Sequence, residues 1–244
     1  CNTCHKGISH PQPSFPLAPA KPAEERPKQP EKKPTIDELL TKYETSLGGK
    51  ANLAKVTSRH IKANRLEPDG KTIEPEEIWQ KGNKILANTT YGANVISEIF
   101  DGKTAWKIGN KEKLDLKADE LEQIKRDAQV FANPNLKAIY PTMDVRFLEK
   151  IDGKEVWMVL ATTVDKKRER IYLDANTGLL VRRVSSSPTI LGNHTFQVDY
   201  ADYKDFGGVK LPTTVKFAMP QVYWTRKILE VKNNVSIDDA KFMK

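Results

Sequence analysis

The stretch Ile171-Tyr172-Leu173-Asp174-Ala175-Asn176-Thr177-Gly178-Leu179-Leu180-Val181-Arg182 places a turn between two apolar, strand-sized segments. Asn, Thr and Gly favour turns because their side chains, or the lack of one, suit tight backbone conformations. The same alternation of strand and turn fills the chain after residue 58, with further turn signals at Pro68-Asp69-Gly70, Lys81-Gly82-Asn83, Asp101-Gly102, Gly109-Asn110, Asp152-Gly153 and Gly207-Gly208. Links this short join antiparallel strands, since parallel strands need long crossovers. The sequence therefore predicts an antiparallel sheet.

Alternating polarity marks individual strands of this sheet. Phe196, Val198 and Tyr200 share one predicted face, and so do Val215, Phe217 and Met219. In a third strand, the pattern predicts that Tyr223, Thr225, Leu229 and Val231 share a face opposite Trp224, Arg226 and Ile228.

Helices are predicted at three places. Thr35-Ile36-Asp37-Glu38 reads as a capping box, after which the apolar residues fall on one helical face until Gly48-Gly49 ends the helix. A second short helix is predicted over 50–56 and a third within 117–133. Two or three helices are too few to cover both faces of nine or more strands. We therefore expect an α+β fold in which a strongly curved antiparallel sheet forms an open half-barrel around its helices.

The chain opens with a separate signal, Cys1-Asn2-Thr3-Cys4-His5, which uses its only two cysteines. Cys-x-x-Cys-His is the attachment motif of c-type haem. In this interpretation Cys1 and Cys4 hold a covalent haem c through thioether bonds, and His5 is the proximal ligand of the haem iron. A redox dithiol or an unusual metal site would be alternatives, although no second cysteine pair completes a structural zinc cluster.

A few residues do not bury a haem, so residues 1–10 are interpreted as the C-terminal remnant of a c-type cytochrome domain. The sixth iron ligand is expected upstream, because His10 lies too near His5 in sequence and the other histidines and methionines suit surfaces or cores: His60, His194, Met143, Met158, Met219 and Met243. A rival interpretation makes Cys1 a lipid-modified N-terminal cysteine. It leaves Cys4 and His5 unexplained.

Residues 11–34 contain eight prolines and are predicted to be an extended, solvated linker. As a polyproline II spacer it would span up to roughly 70 Å. The domain boundaries are therefore 1–10, 11–34 for the linker, and 35–244 for the β-rich domain.

Composition excludes some functions and favours others. The net charge is +8 with 30% charged residues, but no basic block is interleaved with stacking aromatics, which argues against nucleic-acid binding. The longest apolar run, 156–161, is strand-sized. No nucleophile–base pair or phosphate loop appears, so we do not expect an enzyme. Covalent haem attachment implies export to the periplasm.

Several segments resemble a known family: Ile99-Phe100-Asp101-Gly102-Lys103-Thr104-Ala105-Trp106, the stretch quoted above, Asp199-Tyr200-Ala201-Asp202-Tyr203, and Gly207-Gly208-Val209-Lys210-Leu211-Pro212. Their order over 35–244 is similar to the lipoprotein-sorting or carrier superfamily, whose half-barrels shelter acyl chains. The resemblance implies an apolar or lipid ligand between sheet and helices. The candidate wall comprises Tyr91, Ile96, Phe100, Phe196 and Phe217, with Trp79, Trp106, Trp157 and Trp224 either in the core or in that wall.

The combination of Cys-x-x-Cys-His-Lys-Gly, a Pro-rich spacer and a domain ending in Asn234-Val235-Ser236-Ile237-Asp238-Asp239-Ala240-Lys241-Phe242 is similar to photosynthetic reaction-centre type multihaem cytochrome c subunits. This resemblance implies electron transfer, redox partner proteins and a membrane-associated complex. Two other hypotheses remain open: a periplasmic lipid- or lipoprotein-binding protein, and a structural interaction domain without a pocket.

Overall fold

The computed structural model describes residues 27–110, 112–117, 120–125, 128, 136–189, 192–219 and 222–243. For residues 187–189, 192 and 193 it describes the backbone only. Within these residues, thirteen strands form one antiparallel sheet. The helices are α1 (Ile36–Ser46), α2 (Lys50–Ala54) and α3 (Leu136–Ile139), and a 3-10 helix covers Asp239–Phe242. The strands are β1 (Ser58–Leu66), β2 (Ile73–Lys81), β3 (Lys84–Tyr91), β4 (Asn94–Phe100), β5 (Ala105–Gly109), β6 (Glu112–Asp115), β7 (Thr142–Ile151), β8 (Lys154–Thr162), β9 (Arg168–Asp174), β10 (Leu180–Thr189), β11 (Gly192–Asp205), β12 (Lys210–Ala218) and β13 (Tyr223–Asn233).

The strand order is β6-β5-β4-β3-β2-β1-β13-β12-β11-β10-β9-β8-β7. Two meanders, β1–β6 and β7–β13, meet where the first strand pairs with the last. The two edges, β6 and β7, are not paired with each other, so the described sheet stays open. The predicted α+β fold with an open half-barrel is confirmed, and each of the turn signals named above lies between consecutive strands.

One face of the sheet carries the helices and is called the inner face. Leu39 and Tyr43 of α1 pack there with residues of β7 to β12, such as Leu173 and Val215. The connection from β6 to β7 crosses the same face, and its helical residues 120–125 and 128 are here called the cover segment. Ile124 and Ala128 of the cover segment pack over β1 to β5. The inner face therefore has two apolar halves, each beneath its own helical covering.

Helix α1 is held at its start by the predicted capping box. The Thr35 hydroxyl accepts the Glu38 N–H at 3.2 Å, and the Glu38 carboxylate accepts the Thr35 N–H at 2.7 Å. Near its end, Lys42 Nζ donates to the carbonyl of Ala175 at 2.6 Å, and Ser46 donates to the carbonyl of Thr177. Helix α1 therefore docks on the turn between β9 and β10, through Ala175 and Thr177.

The outer face is covered in part by the end of the chain. Ile237 and Phe242 bury Trp106 together with Leu86 and Ile99. Asp239 accepts hydrogen bonds from Lys81 at 3.1 Å and from Lys84 at 2.9 Å. The C-terminal segment is therefore fixed to β2 and β3 by both apolar and ionic contacts. A second outer cluster gathers residues of β7 to β10.

Edge strand β7 is partly capped by the linker. The Leu148 N–H donates to Gln29 Oε1 at 2.8 Å, and Gln29 Nε2 donates to the Leu148 carbonyl at 2.7 Å. A side-chain amide here takes the place of a neighbouring strand, which blunts an edge that would otherwise template aggregation. Residues 28–33 are exposed, and among them Gln29 contacts the sheet through its side chain.

One predicted strand pattern is wrong. A register shift between Lys62 and Ala63 interrupts the pairing of β1 with β13. Beyond it, Val231 packs in the inner cluster with Ile228, while Leu229 is 64% exposed. The irregularity reverses the alternation, so Val231 lies on the same face as Ile228 and not on the opposite one.

Gly48 allows α1 to approach the β11–β12 turn. Its φ is +124°, and a Cβ at this position would lie 2.0 Å from the carbonyl oxygen of Gly208. The adjacent Leu47 carbonyl accepts the Lys210 N–H at 2.8 Å, which holds the two segments together. Only a residue without a side chain fits this contact.

We expect Gly48→Ala to lower the free energy of unfolding by about 3 kcal/mol, because both backbone strain and a backbone clash result. Gly49→Ala is the matched control: its φ is also positive, but a Cβ there meets nothing within 4 Å. This control should cost about 1 kcal/mol. Urea denaturation of both variants measures the difference, and equal losses would contradict the close approach of Gly48 to Gly208.

Candidate functional site

A cavity of about 60 Å³ lies on the inner face beneath the cover segment. Apolar side chains form most of its wall, together with one amide, one carboxylate and one guanidinium. The lining residues are Ile61, Ile78, Gln80, Ile85, Ala87, Glu98, Ile124, Arg226 and Ile228. Alternate residues of β1, β2, β3 and β13 point into it, which is how a pleated sheet builds one wall of a pocket.

The cavity is small for an organic ligand. A cavity of about 150 Å³ is needed to hold benzene, and drug-sized ligands occupy roughly 300–1,000 Å³. The space seen here suits a few water molecules or the polar end of a ligand. A larger apolar guest requires Ile124 and the rest of the cover segment to move away from the sheet.

A buried ion pair borders the cavity. Arg226 Nε and Nη2 donate to the two carboxylate oxygens of Glu76, at 2.6 and 3.1 Å. Glu76 is 4% exposed, and the Arg226 side chain is 13% exposed. Bidentate pairing neutralises both charges in a place that water hardly reaches. The cavity wall therefore presents little net charge despite the guanidinium.

Three aromatic side chains continue the inner face beyond Arg226. They are Phe196, Phe217 and Trp224, here called the aromatic row. Phe217 stacks on Trp224 with ring centroids 3.9 Å apart and lies 6.3 Å from Phe196. The guanidinium carbon of Arg226 is 5.2 Å from the Trp224 ring centroid, within cation–π range. The row is a packed apolar cluster next to Arg226, which itself lines the cavity.

Arg65 covers the other side of Trp224, with its guanidinium carbon 4.4 Å from the ring centroid. Its Nε lies 2.5 Å from a Glu67 oxygen and 3.3 Å from a Glu74 oxygen. Burial raises the pKa of the Glu74 carboxyl, and the neighbouring Glu67 carboxylate raises it further. Because the folded-state pKa is the higher one, protonation of Glu74 stabilises the fold, and this contribution is lost as pH rises through that pKa.

A second buried polar group lies under α1. The Tyr140 hydroxyl donates to Glu169 at 2.6 Å, and Glu169 and Arg183 are each 2% exposed. Burial raises the pKa of the Tyr140 phenol. The contact ties the residue after α3 to β9 and serves to position that helix. Glu169 lies in β9, where its strand position turns this charged side chain into the core.

The five predicted wall residues all lie on the inner face. Phe196, Phe217 and Trp224 form the aromatic row, and Phe100 belongs to the cluster beneath the cover segment. Tyr91 is joined to this region through Arg65, whose guanidinium carbon is 5.7 Å from its ring. Ile96 contacts Gly109 at the far end of the sheet. The other three tryptophans, Trp79, Trp106 and Trp157, pack in hydrophobic clusters, as the core alternative predicts.

Trp157 packs in the cluster of α1, and Trp106 is fully buried on the outer face under the C-terminal segment. Trp79 is also on the outer face, stacked on His60 with centroids 4.9 Å apart. Burial lowers the pKa of His60. A wall that includes Trp79 or Trp106 is therefore ruled out by their orientation, which β-strand alternation sets.

Cys1, Cys4 and His5, with the N-terminal part of the linker, lie outside the described residues. Their interpretation as a haem site stays a prediction. Within the described ranges, no three His, Cys, Asp or Glu side chains are grouped as metal ligands. In the same ranges, none of the helices has the length and apolar character that crossing a membrane requires.

Sequence reasoning missed Gln80, Glu76 and Arg226 as members of the site. The alternation of Glu74, Glu76, Ile78 and Gln80 along one strand was the available signal, because all four side chains share the inner face. Taken alone, charged and amide residues at those positions indicate a face of the strand that is exposed to solvent. Only the positions of the neighbouring strands show that this face is buried.

We expect Glu76→Gln to lower the free energy of unfolding by about 3 kcal/mol, since it leaves the Arg226 charge buried without its carboxylate. The double variant Glu76→Leu, Arg226→Met should recover most of that loss, because it removes both charges. Glu230→Gln, on an exposed part of β13, should leave stability unchanged. Denaturant titration of the four proteins checks this, and a double variant as unstable as Glu76→Gln would contradict it.

By sequence, the chain matches no protein-family model and no curated protein. Several solved structures share its fold. A LolA-superfamily protein from Nitrosomonas europaea has a TM-score of 0.61 at 14% identity, over 87% of this chain and 99% of that one. A DUF1329 family protein from Desulfovibrio piger has 0.59 at 11%, over 85% and 97%. A putative outer membrane lipoprotein-sorting protein domain from Vibrio parahaemolyticus has 0.55 at 9%, over 84% and 93%. The open half-barrel predicted from the sequence is therefore the fold of this chain.

Proposed function

We propose that residues 35–244 form a binding domain for an apolar or lipid ligand, held between the inner face and the cover segment. The observation that carries this proposal is the cavity itself, whose wall is mostly isoleucine and which adjoins the aromatic row. Apolar ligands prefer sites of this kind, because burial removes their surface from water at roughly 25 cal/mol per Å². Binding and not catalysis is the proposed role.

The cover segment is the part of the wall best suited to move. The strand residues of the wall are fixed by ladders on both sides, whereas the described residues of the cover segment meet the sheet through the side chains of Leu121, Ile124 and Ala128. Lifting it would cost the burial of those side chains. A ligand of comparable apolar area that takes their place would restore that burial.

Proteins with a similar fold support a binding function of this type. One is described as a LolA-superfamily protein and another as a putative lipoprotein-sorting domain. For this chain we extend the comparison to a role as an exported, periplasmic binding protein. Its partners would then be a lipid or a lipidated protein, supplied by the membrane or by another envelope component.

Filling the cavity should abolish binding. In Ala87→Trp the new indole occupies the space beside Ile78, and we expect at least a tenfold loss of affinity for a fluorescent apolar probe such as N-phenyl-1-naphthylamine. Ala218→Trp is the control, since Ala218 is half-buried on the outer face of β12. Fluorescence titration measures both. Unchanged binding by Ala87→Trp, or equal losses in both variants, would contradict a ligand at this place.

We also propose that the N-terminal motif attaches a haem c, because Cys-x-x-Cys-His is the attachment motif of c-type haem and no second cysteine pair completes a structural zinc cluster. Cys1 and Cys4 would form the thioether bonds, and His5 would ligate the iron. The haem would supply a one-electron redox centre, so this part of the protein would exchange electrons with redox partner proteins.

Expression in a host that matures c-type cytochromes tests it. The chain should carry haem that survives acid–acetone extraction, with sharp reduced-minus-oxidised bands, and Cys4→Ser should weaken covalent retention. Intact-mass measurement distinguishes the alternatives. An acylated Cys1 without tetrapyrrole would establish a lipid anchor, and two free thiols would exclude both.

A further inference from the structure

Gln80 is the one residue lining the cavity that is neutral and polar. It lies on β2, opposite Arg59 of β1 and Ile85 of β3, and is 2% exposed. Neither Nε2 nor Oε1 has a hydrogen-bond partner within the part of the chain that the structure describes. A complete carboxamide is thus buried in the wall of the cavity with its donors and its acceptor unused.

Such a group is costly for the folded protein alone. A buried polar group without partners lowers stability by roughly 1–3 kcal/mol, and native proteins contain few of them. Methionine or leucine would fill the same space at no such cost. Gln80 therefore does not serve the packing of the core well, but its free donors and acceptor suit the recognition of a ligand that enters the cavity.

We propose that Gln80 binds the polar end of the ligand and selects molecules whose head group both donates and accepts hydrogen bonds, above all a carboxamide or a protonated carboxylic acid. This inference rests on the proposed function, because it names the class of ligand for that same cavity. A carboxamide pairs with either head group through two hydrogen bonds, one in each direction. The remainder of the ligand is apolar.

The charges around the cavity agree with an uncharged head group. Arg226 already binds Glu76 through both carboxylate oxygens, and Glu98 is 3.1 Å from Lys107. A ligand that carries a full charge would need an unpaired counter-charge in the wall to offset its desolvation. A neutral amide needs only the matching amide of Gln80.

The position of Gln80 also determines the orientation of the ligand along β2. Gln80 lies four positions after Glu76 on β2, a span of about 13 Å along the strand. Between these two polar points the wall consists of isoleucines, among them Ile78, Ile61 and Ile228. The head group lies at Gln80, and the apolar chain runs from there towards Arg226 and the aromatic row.

The test compares the full-length protein with its Gln80→Met variant. Dodecanamide and N,N-dimethyldodecanamide compete with N-phenyl-1-naphthylamine; the second compound keeps the carbonyl but has no N–H donor. The wild-type protein should prefer dodecanamide about tenfold, which corresponds to about 1.4 kcal/mol. Gln80→Met should bind both compounds equally and should melt at a higher temperature, because the unpaired amide is gone.

Ile85→Met is the matched control, as it introduces the same side chain at the cross-strand neighbour of Gln80. It should keep the preference for dodecanamide even if overall affinity falls. If Gln80→Met keeps that preference, or melts at a lower temperature, the inference is overturned while the apolar site stands. If neither amide displaces the probe from the wild-type protein, the proposed function fails and the inference fails with it.

Discussion

The structure depends on burying the apolar inner face of one continuous thirteen-stranded sheet with very little helix. Helix α1, the short α2 and α3 and the cover segment are the helical residues that pack on it in the described chain. A flat sheet of this width would leave most of that face in water. Curvature lets side chains from distant strands meet, so the sheet supplies much of its own covering. The open half-barrel is the shape that satisfies this constraint.

The same constraint explains why the site lies where it does. The two halves of the inner face are filled by different helices, α1 over β7 to β12 and the cover segment over β1 to β5. Between them run β13 and β1, where Arg226, Arg65 and Trp224 fill the gap with long side chains. The cavity with Gln80 lies beneath the cover segment, with Ile124 in its wall. The ion pair of Glu76 and Arg226 borders the cavity on the side of β13.

The N-terminal part and the half-barrel are chemically separate, and their proposed roles do not depend on each other. One would carry electrons through haem held by Cys1, Cys4 and His5, and the other would bind an apolar molecule. The described end of the linker connects them physically: the two hydrogen bonds between Gln29 and Leu148 hold the chain against β7 before α1 begins. Gln29, which belongs to the segment predicted to be a linker, is therefore fixed to one sheet edge.

Features that depend on neighbours in sequence were predictable from the sequence. The capping box at Thr35, the end of α1 at the two glycines and the turns that separate the strands all arise from short-range backbone preferences. The half-barrel followed, since many antiparallel strands with few helices leave little choice of architecture. Which face each side chain occupies was decided only by tertiary structure. The shift that turns Val231 inward, the outer position of Trp106 and the burial of Gln80 and Glu169 all depend on strands far away in sequence. A strand's own alternation separates its two faces, but it is the packing of the whole sheet that makes one of them the inside.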